Sequence, residues 1–301
     1  MHKKHLNLYL LVLAVLIAIS SIGYYFASKL EPSVLSLIYI AVFYMPTPFY
    51  ALFITSRLSK TSLNLGQYGT FKKLSISGIL TTVGMFVGWI LLFSLAIYLL
   101  SHVTPDLTGK FATSDTGVRA NIATYFGYEA ASTANLPSNI LPLIIVSFIG
   151  AILSGFTVNL LFALGEEYGW RGYLRRNIKQ AFLFKYTLIG VLWGAWHTPL
   201  VLQGYNYGND DAIAGACVMI IFTIGMSYVF GVLLDRYDNV LYAGALHGMF
   251  NGFAGIFPLL LGGYNPLIGG PVGIVSAICF VIVAFAGHQL MQIRTLTSKR
   301  A

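Results

Sequence analysis

Charged side chains are scarce in this sequence. Asp, Glu, Lys and Arg together account for 9% of the 301 residues, whereas about 25% is usual in a soluble domain. Hydrophobic residues reach 57%, and the mean hydropathy is +0.75. This composition excludes an ordinary soluble domain. Because helices satisfy their backbone hydrogen bonds internally, it predicts an all-α polytopic membrane helix bundle.

Cysteine and several familiar catalytic patterns are also missing. Only Cys217 and Cys279 occur, both in apolar stretches, so neither a disulfide framework nor a C-x-x-C metal site is expected. No H-E-x-x-H occurs, and no G-x-S-x motif is paired with a suitable histidine helix. No repeat of fixed period stands out, which argues against a transporter built from duplicated halves. A single membrane domain over 1–301 is predicted.

Eight apolar segments have the length of roughly 20 residues that crosses a bilayer core. The fourth is expected to run on past Glu166 to the basic cluster at Arg175. The first follows a basic start like that of a signal peptide. Its apolar run reaches Phe26, beyond the roughly 7–15 residues of a signal core, so an uncleaved helix is predicted. The predicted spans are 6–26, 34–56, 75–100, 139–165, 183–204, 212–234, 239–261 and 271–291.

The formal charge of +8 is distributed unevenly. With the N-terminus inside, the inner segments hold 15 of the 18 Lys and Arg residues and the outer segments hold 3. This positive-inside bias places both termini in the cytosol. Anionic lipid headgroups, rather than nucleic acid, are then the expected partners of the charge. An integral protein of a bacterial cytoplasmic membrane is predicted.

Three features between or within the spans carry structural expectations. The connection 101–138, on the outer side, is expected to be partly structured. The basic segment 57–74 is typical of a helix on the inner membrane surface. Gly84 and Gly88 fit a close contact between two helices.

Glu166 and Glu167 are half of the four glutamates in the chain and follow the fourth apolar stretch. Ionisable groups inside a membrane are costly and by default mark a functional site. On a helix, Glu167 and Arg171 form an i,i+4 pair in the favourable acid-first order. Glu166 points about 100° away, so it is predicted to face a cavity. The alternative is an interfacial acid–base patch that caps a helix.

Two further spans carry polar groups one helical turn apart. In the fifth, Trp193 precedes His197 and can pack beside its imidazole. In the seventh, His247 and Asn251 project from one face. Taken alone, His197 could simply hydrogen-bond a backbone carbonyl, and the His247–Asn251 pair could simply bridge two helices.

The three polar groups share a depth in the membrane. At 1.5 Å per residue from the inner end of each helix, Glu166, His197 and His247 lie about 14, 18 and 14 Å below the cytosolic surface. A shared depth is what an intramembrane site requires, although the lateral order of the helices is open at this point.

These residue types suit hydrolysis by activated water. A desolvated glutamate is a stronger base and can deprotonate water. One histidine can orient that water or bind a metal. A second histidine and an asparagine amide can donate hydrogen bonds to a developing oxyanion. Such a site would hydrolyse an amide or ester without a covalent nucleophile.

In this order, the three segments resemble the motifs of the CAAX-protease and bacteriocin-processing family, also called the Abi family. Its motifs E-E-x-x-x-R, F-x-x-x-H and H-x-x-x-N/D match here with one departure, because Trp193 stands where the family usually has phenylalanine. The resemblance covers 160–255, the predicted catalytic core. The matching residues are Glu166, Glu167, Arg171, Trp193, His197, His247 and Asn251.

The resemblance implies an intramembrane endopeptidase. Glu166 would activate the hydrolytic water and His197 would help to position it. His247 and Asn251 would stabilise the oxyanion, and Glu167 with Arg171 would support the site. Both a zinc-dependent and a metal-free mechanism are compatible with the resemblance. Glu166, His197 and His247 would be the ligands of a divalent metal with an open fourth position.

The family includes type II CAAX prenyl endopeptidases and bacterial members linked to bacteriocin immunity and peptide maturation. The implied substrate is a membrane-associated or lipidated protein or peptide. A site opening to the cytosol, as the charge count suggests, would take substrates from the inner leaflet. A non-catalytic immunity or scaffold protein is the main alternative. A transporter that uses Glu166 as a proton or cation site is the other.

Overall fold

The structure, a computed structural model, describes residues 2–30 and 34–298. Nearly all of its regular structure is helical, as the composition predicts. The helices are α1 His2–Ala27, α2 Val34–Tyr39, α3 Thr47–Leu58, α4 Ile76–Leu100, α5 Pro105–Thr108, α6 Asp115–Phe126, α7 Tyr128–Thr133, α8 Leu141–Phe156, α9 Val158–Glu167, α10 Arg175–Asn177, α11 Phe182–Val201, α12 Ala212–Tyr237, α13 Val240–Leu260 and α14 Ile274–Ser298. Two π-helical segments, Ile40–Tyr44 and Tyr168–Leu174, follow α2 and α9. The two strands are β1 Gly109–Phe111 and β2 Leu261–Tyr264.

Five helical segments in the described ranges are long and apolar enough to cross a membrane. The bent pair α8 and α9 with its continuation makes a sixth if it is counted as one span. The two remaining predicted spans coincide with α11 and with α14, whose apolar part Ile274–Leu290 is shorter. The predicted count of eight and the cytosolic termini therefore stay predictions. Of the basic residues behind that orientation, Lys299 and Arg300 lie outside the described residues.

The fourth predicted span is not one straight helix. Its two parts meet at a 51° bend after Phe156, where Thr157 leaves the helical conformation at φ −127° and ψ −104°. The side-chain amide of Asn159 donates to the backbone oxygen of Gly248 in α13 at 3.0 Å. This contact joins the bent segment to α13. Beyond the bend the helical segment runs without a break over Val158–Asn177, so the span continues past Glu166 to Arg175 as expected.

Helices α12 and α13 form the centre of the bundle. Two thirds of the apolar window of each is buried, 67%, against 17% for the peripheral α1. Helix α11 packs tightly on α12, because a Cβ at Gly194 would lie 2.5 Å from the Cα of Ile220. Helix α13 packs on α8 and α9. The polar motifs on α9, α11 and α13 are thereby held around one interior.

Two expectations about local structure fail and one holds. Segment 57–74 contains, after α3, only two short 3-10 turns, Leu65–Gln67 and Phe71–Lys73, instead of a surface helix. A Cβ at Gly84 would have nothing within 4 Å and one at Gly88 would have only Val283, at 4.0 Å, so neither makes the predicted close helix contact. The connection 101–138 is partly structured, with α5, β1, α6 and α7.

Strand β1 joins this connection to the chain that follows α13. It pairs with β2 in an antiparallel sheet, with Lys110 opposite Gly262 and Phe111 opposite Leu261. Beneath it lies a small apolar core of its own, made by Val118, Ile122, Ala131 and Ile140. This layer packs on the last turn of α13, where the side-chain amide of Asn121 donates to the backbone oxygen of Leu259.

Candidate functional site

A cavity of about 380 Å³ lies inside the bundle. It is lined by residues of α2 and its π-helical extension and by residues of α9, α11, α12 and α13. Five residues of the three motifs lie in its wall: Glu166, Trp193, His197, His247 and Asn251. The structure thus brings together side chains from three helices that sequence reasoning could place only at a common depth.

The two glutamates have different surroundings, as their spacing predicts. Both are buried, at 1% and 0% exposure for Glu166 and Glu167. Glu167 accepts from Arg171 Nη1 at 3.2 Å and pairs with His247 Nδ1 at 2.9 Å, through one oxygen, Oε1. Glu166 lines the cavity and accepts from Trp193 Nε1 at 2.7 Å. Within the part of the chain that the structure describes, it forms no ion pair.

Arg171 is fully buried and contacts both polar and aromatic groups, while its Nε has no hydrogen-bond partner among the described residues. Besides Glu167, its Nη2 donates to Ser227 Oγ at 3.0 Å. The guanidinium lies 4.0 Å from the ring centre of Trp193 and 4.4 Å from that of Phe230. Such cation–π contacts strengthen when the pair is desolvated. Arg171 therefore offsets the buried charge of Glu167 while staying out of the cavity wall.

The π-helical segment Tyr168–Leu174 carries Arg171 directly after the glutamates. The residue before the glutamates, Gly165, allows this stretch of the chain to approach the second predicted span closely. A Cβ at Gly165 would lie 3.0 Å from the Cα of Pro46. Pro46 thus lies against the glutamate segment, and π-helical insertions of this kind are frequent at functional sites.

Trp193 contacts four ionisable residues of the site, namely Glu166, Arg171, His197 and His247. Its ring centre lies 5.6 Å from that of His197 and 5.4 Å from that of His247. The Arg171 guanidinium lies over the face of its ring, and its N–H donates to Glu166. Sequence reasoning placed Trp193 beside His197 but missed the hydrogen bond to Glu166, because that bond depends on how two helices lie side by side.

The two histidines are oriented through the same ring atom. His197 Nδ1 lies 2.9 Å from the backbone oxygen of Trp193. His247 Nδ1 lies 2.9 Å from the Glu167 carboxylate. Because a carbonyl and an ionised carboxylate only accept, both Nδ1 atoms carry the proton. In each neutral ring, Nε2 is then the hydrogen-bond acceptor.

Asn251 lies one turn after His247 on α13 and is partly buried in the cavity wall. No hydrogen bond of its side chain is found within the described ranges, so the amide is available to a bound molecule. His197 is likewise partly buried, whereas His247 is 4% exposed. A cavity with one carboxylate, two imidazoles and one amide can bind and polarise a carbonyl compound and a water molecule.

The arrangement is a poor match to a metal site. Residues 2–30 and 34–298 contain no group of three or more His, Cys, Asp or Glu side chains placed to hold an ion. The imidazoles are backed by acceptors at Nδ1 in the way metal-bound histidines usually are. However, Glu166, His197 and His247 do not converge as a set of three ligands. No reaction step is therefore assigned to a metal.

Sequence reasoning also missed Ser227 and the contacts that anchor the second predicted span. Tyr44 donates to the backbone oxygen of Trp196 at 2.7 Å, and Trp196 Nε1 donates to Thr47 Oγ1 at 2.8 Å. A hydroxyl in an apolar span is a weak signal on its own. Each of these residues acquires its role only from the helix it faces.

Comparison with known proteins agrees with the motifs. No curated protein matches the chain. Residues 145–253, about a third of the chain, match the model of the family described as type II CAAX prenyl endopeptidase Rce1-like. The match contains all three motifs and most of the predicted core 160–255. This part of the chain therefore carries an Rce1-like domain, which supports membership of the CAAX-protease and bacteriocin-processing family that the motifs resemble.

Proposed function

We propose that this protein is an intramembrane endopeptidase in which Glu166 activates the water that cleaves a peptide bond. The observation that carries the proposal is the unequal engagement of the two glutamates. Glu167 is occupied by Arg171 and His247, whereas Glu166 lines the cavity and is held only by a neutral donor, Trp193. A buried carboxylate without a cation in contact is a strong base, because burial disfavours its charged form.

The remaining cavity residues supply the other requirements of hydrolysis. His197 Nε2, as an acceptor, can hold one proton of the water while Glu166 takes the other. Hydroxide then adds to the carbonyl carbon, and the oxyanion accepts hydrogen bonds from Asn251 and from a protonated His247. Glu166 next returns its proton to the leaving amine as the carbon–nitrogen bond breaks.

The charges of this state balance. In the tetrahedral intermediate, a protonated His247 and Arg171 carry two positive charges, and Glu167 and the oxyanion carry two negative charges, because Glu166 holds the proton it took from water. Glu167 lies against both cations, so it stabilises the imidazolium that donates to the oxyanion. Oxyanion donors of this kind are worth about 10²–10³ in kcat.

The proposed substrate is a membrane-associated or lipidated protein or peptide, as in CAAX-type or bacteriocin-related processing. The family match supports a protein or peptide substrate. The apolar side chains of the cavity wall, such as Leu37, Met219 and Phe222, support a substrate segment that is itself apolar. The whole chain, 1–301, is proposed to act as one membrane domain.

The test compares purified wild type with Glu166→Gln and His247→Ala on a quenched fluorescent peptide library. Cleavage is expected to fall at least 100-fold in both variants, because the base or an oxyanion donor is lost. Glu129→Gln and His102→Ala, at exposed positions, are the matched controls and should cleave like wild type. Equal cleavage by all five proteins would overturn the proposal and favour a non-catalytic immunity or scaffold role.

A further inference from the structure

The catalytic cavity reaches only one end of the helix bundle. Beyond the motif residues, its wall includes Leu37 in α2, Gly255 in α13, and Tyr205, Asn206 and Val272 in connections. Tyr205 and Asn206 lie between α11 and α12, and Val272 precedes α14. All five belong to the end at which α11 and α13 finish and α12 begins.

The other end of the bundle is closed beneath Glu166. Trp170, Arg171 and Leu174 are at most 1% exposed. Below them, Arg175 and Arg176 both bind Asp238, in the turn between α12 and α13. These ion pairs tie the continuation of α9 to its neighbours. A substrate therefore has no route to Glu166 from this end.

The closed end is the basic end. Four basic residues follow one another along the chain at this end: Arg175, Arg176, Lys179 and Lys185. They belong to the inner segments, which together hold 15 of the 18 Lys and Arg residues. Basic residues concentrate on the cytosolic side of membrane proteins. The open end, formed by the connections after α11 and α13, carries no Lys or Arg in 202–211 or 261–273, and the adjoining connection 101–138 carries only Lys110 and Arg119.

We infer that the cavity opens toward the extracytoplasmic face and that its substrate is a membrane-anchored polypeptide cut in a segment presented from that face. This inference rests on the proposed function and reverses the expectation of a cytosolic opening. His197 lies four residues from the end of α11 at Val201, about 6 Å along the helix. Glu166 and His247 lie about 14 Å from the inner ends of their helices, so cleavage would occur near the middle of the membrane.

The wall of the opening indicates how such a segment enters. Leu37 lines the cavity and is 58% exposed, so this side of the opening meets lipid rather than water. An anchored substrate can therefore approach laterally. Met45, Met219 and Met226 also line the cavity, and methionine adapts its shape to different apolar side chains.

The connection at the mouth has a defined backbone shape. Gly204, Asn206 and Gly208 have positive φ values of 89°, 68° and 77°, a region that favours glycine and asparagine. Asn206 is exposed and lines the cavity. Exposed Asp210 and partly buried Asp211 follow it.

Thiol labelling tests the direction of the opening without any need for activity. Asp210→Cys and Lys179→Cys are made in a background with Cys217→Ala and Cys279→Ala. A membrane-impermeant maleimide added to intact cells is expected to label Asp210→Cys, and to label Lys179→Cys only after lysis. The reverse pattern would overturn the inference, because it would place the open end in the cytosol.

A second arm tests whether that opening is the route to Glu166. Asn206→Cys is purified and assayed on the peptide library before and after maleimide labelling, with labelled Lys179→Cys as control. Labelling at 206 is expected to reduce cleavage at least tenfold, and labelling at 179 to leave it unchanged. Unchanged cleavage after labelling at 206 would overturn the route but leave the proposed function standing. Absence of cleavage by every protein, including wild type, would instead overturn the proposed function.

Discussion

At the scale of single residues, the site depends on which side chain each glutamate meets. Two adjacent acids separate into different roles because successive helical residues point about 100° apart. Glu167 contacts Arg171 and His247, whereas Glu166 contacts the indole of Trp193 and lines the cavity. This chain departs from the motif it resembles at Trp193, where the family usually has phenylalanine. Because phenylalanine has no N–H, only the tryptophan can donate this hydrogen bond to the glutamate.

Trp193→Phe should therefore impair catalysis more than binding. The variant keeps the aromatic contacts with His197 and His247 but leaves Glu166 without its donor. A hydrogen bond to a charged group is worth about 1.5–3 kcal/mol, so kcat should fall roughly 10- to 100-fold with a smaller change in KM. Steady-state kinetics on a cleaved library peptide measure both constants.

Trp196→Phe is the matched control for this prediction. Trp196 also lines the cavity, but its N–H bonds Thr47 rather than Glu166. Its kcat should fall much less than that of Trp193→Phe. Equal losses in the two variants would show that the indole N–H of Trp193 has no special part in holding the base.

The same division predicts opposite outcomes for conservative changes at the two glutamates. Glu167→Gln leaves the fully buried Arg171 without its counter-charge, and such a loss typically destabilises by about 3–5 kcal/mol. Glu166→Gln removes no ion pair and should retain wild-type stability while losing activity. Thermal unfolding of the purified proteins in one detergent measures the difference. A Glu167→Gln protein as stable as wild type would contradict the bracing role of Glu167.

At the scale of elements, small residues set the distances between the helices that carry the motifs. Helices α11 and α12 approach closely at Gly194, where an added methyl group would overlap the backbone of Ile220. Gly84 in α4 has the same residue type in a helix but no neighbour within 4 Å of a Cβ. Substitution of Gly84 therefore tests helix propensity alone, whereas substitution of Gly194 tests helix propensity together with packing between helices.

Gly194→Ala should destabilise the protein and Gly84→Ala should not. Alanine favours a helix by about 1 kcal/mol over glycine, which is the only effect expected at Gly84. At Gly194 that gain is outweighed by overpacking, which typically costs about 1–3 kcal/mol and occasionally more. Midpoints of thermal unfolding compare the two. Equal or higher stability of Gly194→Ala would refute the close contact between α11 and α12.

At the scale of the whole molecule, features set by residues close in sequence were predictable, and contacts between neighbouring helices were not. Hydropathy identified the helical membrane class, and one-turn spacing identified the pair formed by Glu167 and Arg171, because both depend on neighbours in sequence. The shared depth of the polar groups pointed to a common site. The bend at Thr157 and the hydrogen bond from Trp193 to Glu166 depend on which helices adjoin, and no single segment encodes that order.

The end of the bundle at which the cavity opens likewise depends on which helices adjoin. Charge counting suggests which face of the membrane each connection meets, but it carries no information about which end of the bundle is closed. Here the closure arises from Arg171 with the aromatic rings around it and from the pairs of Arg175 and Arg176 with Asp238. The proposal that substrates enter from the outer face therefore needs both the charge count and the structure.

The tryptophans give the cavity an optical consequence. The chain has four, and of these Trp193 and Trp196 line the cavity, whereas Trp89 and Trp170 are absent from its wall. Indole emission responds to the polarity and charge around the ring, and Trp193 touches both a carboxylate and a guanidinium. A segment that fills the cavity displaces water from these two rings. The protein therefore carries an intrinsic fluorophore that reports occupancy of the site before any bond is cut.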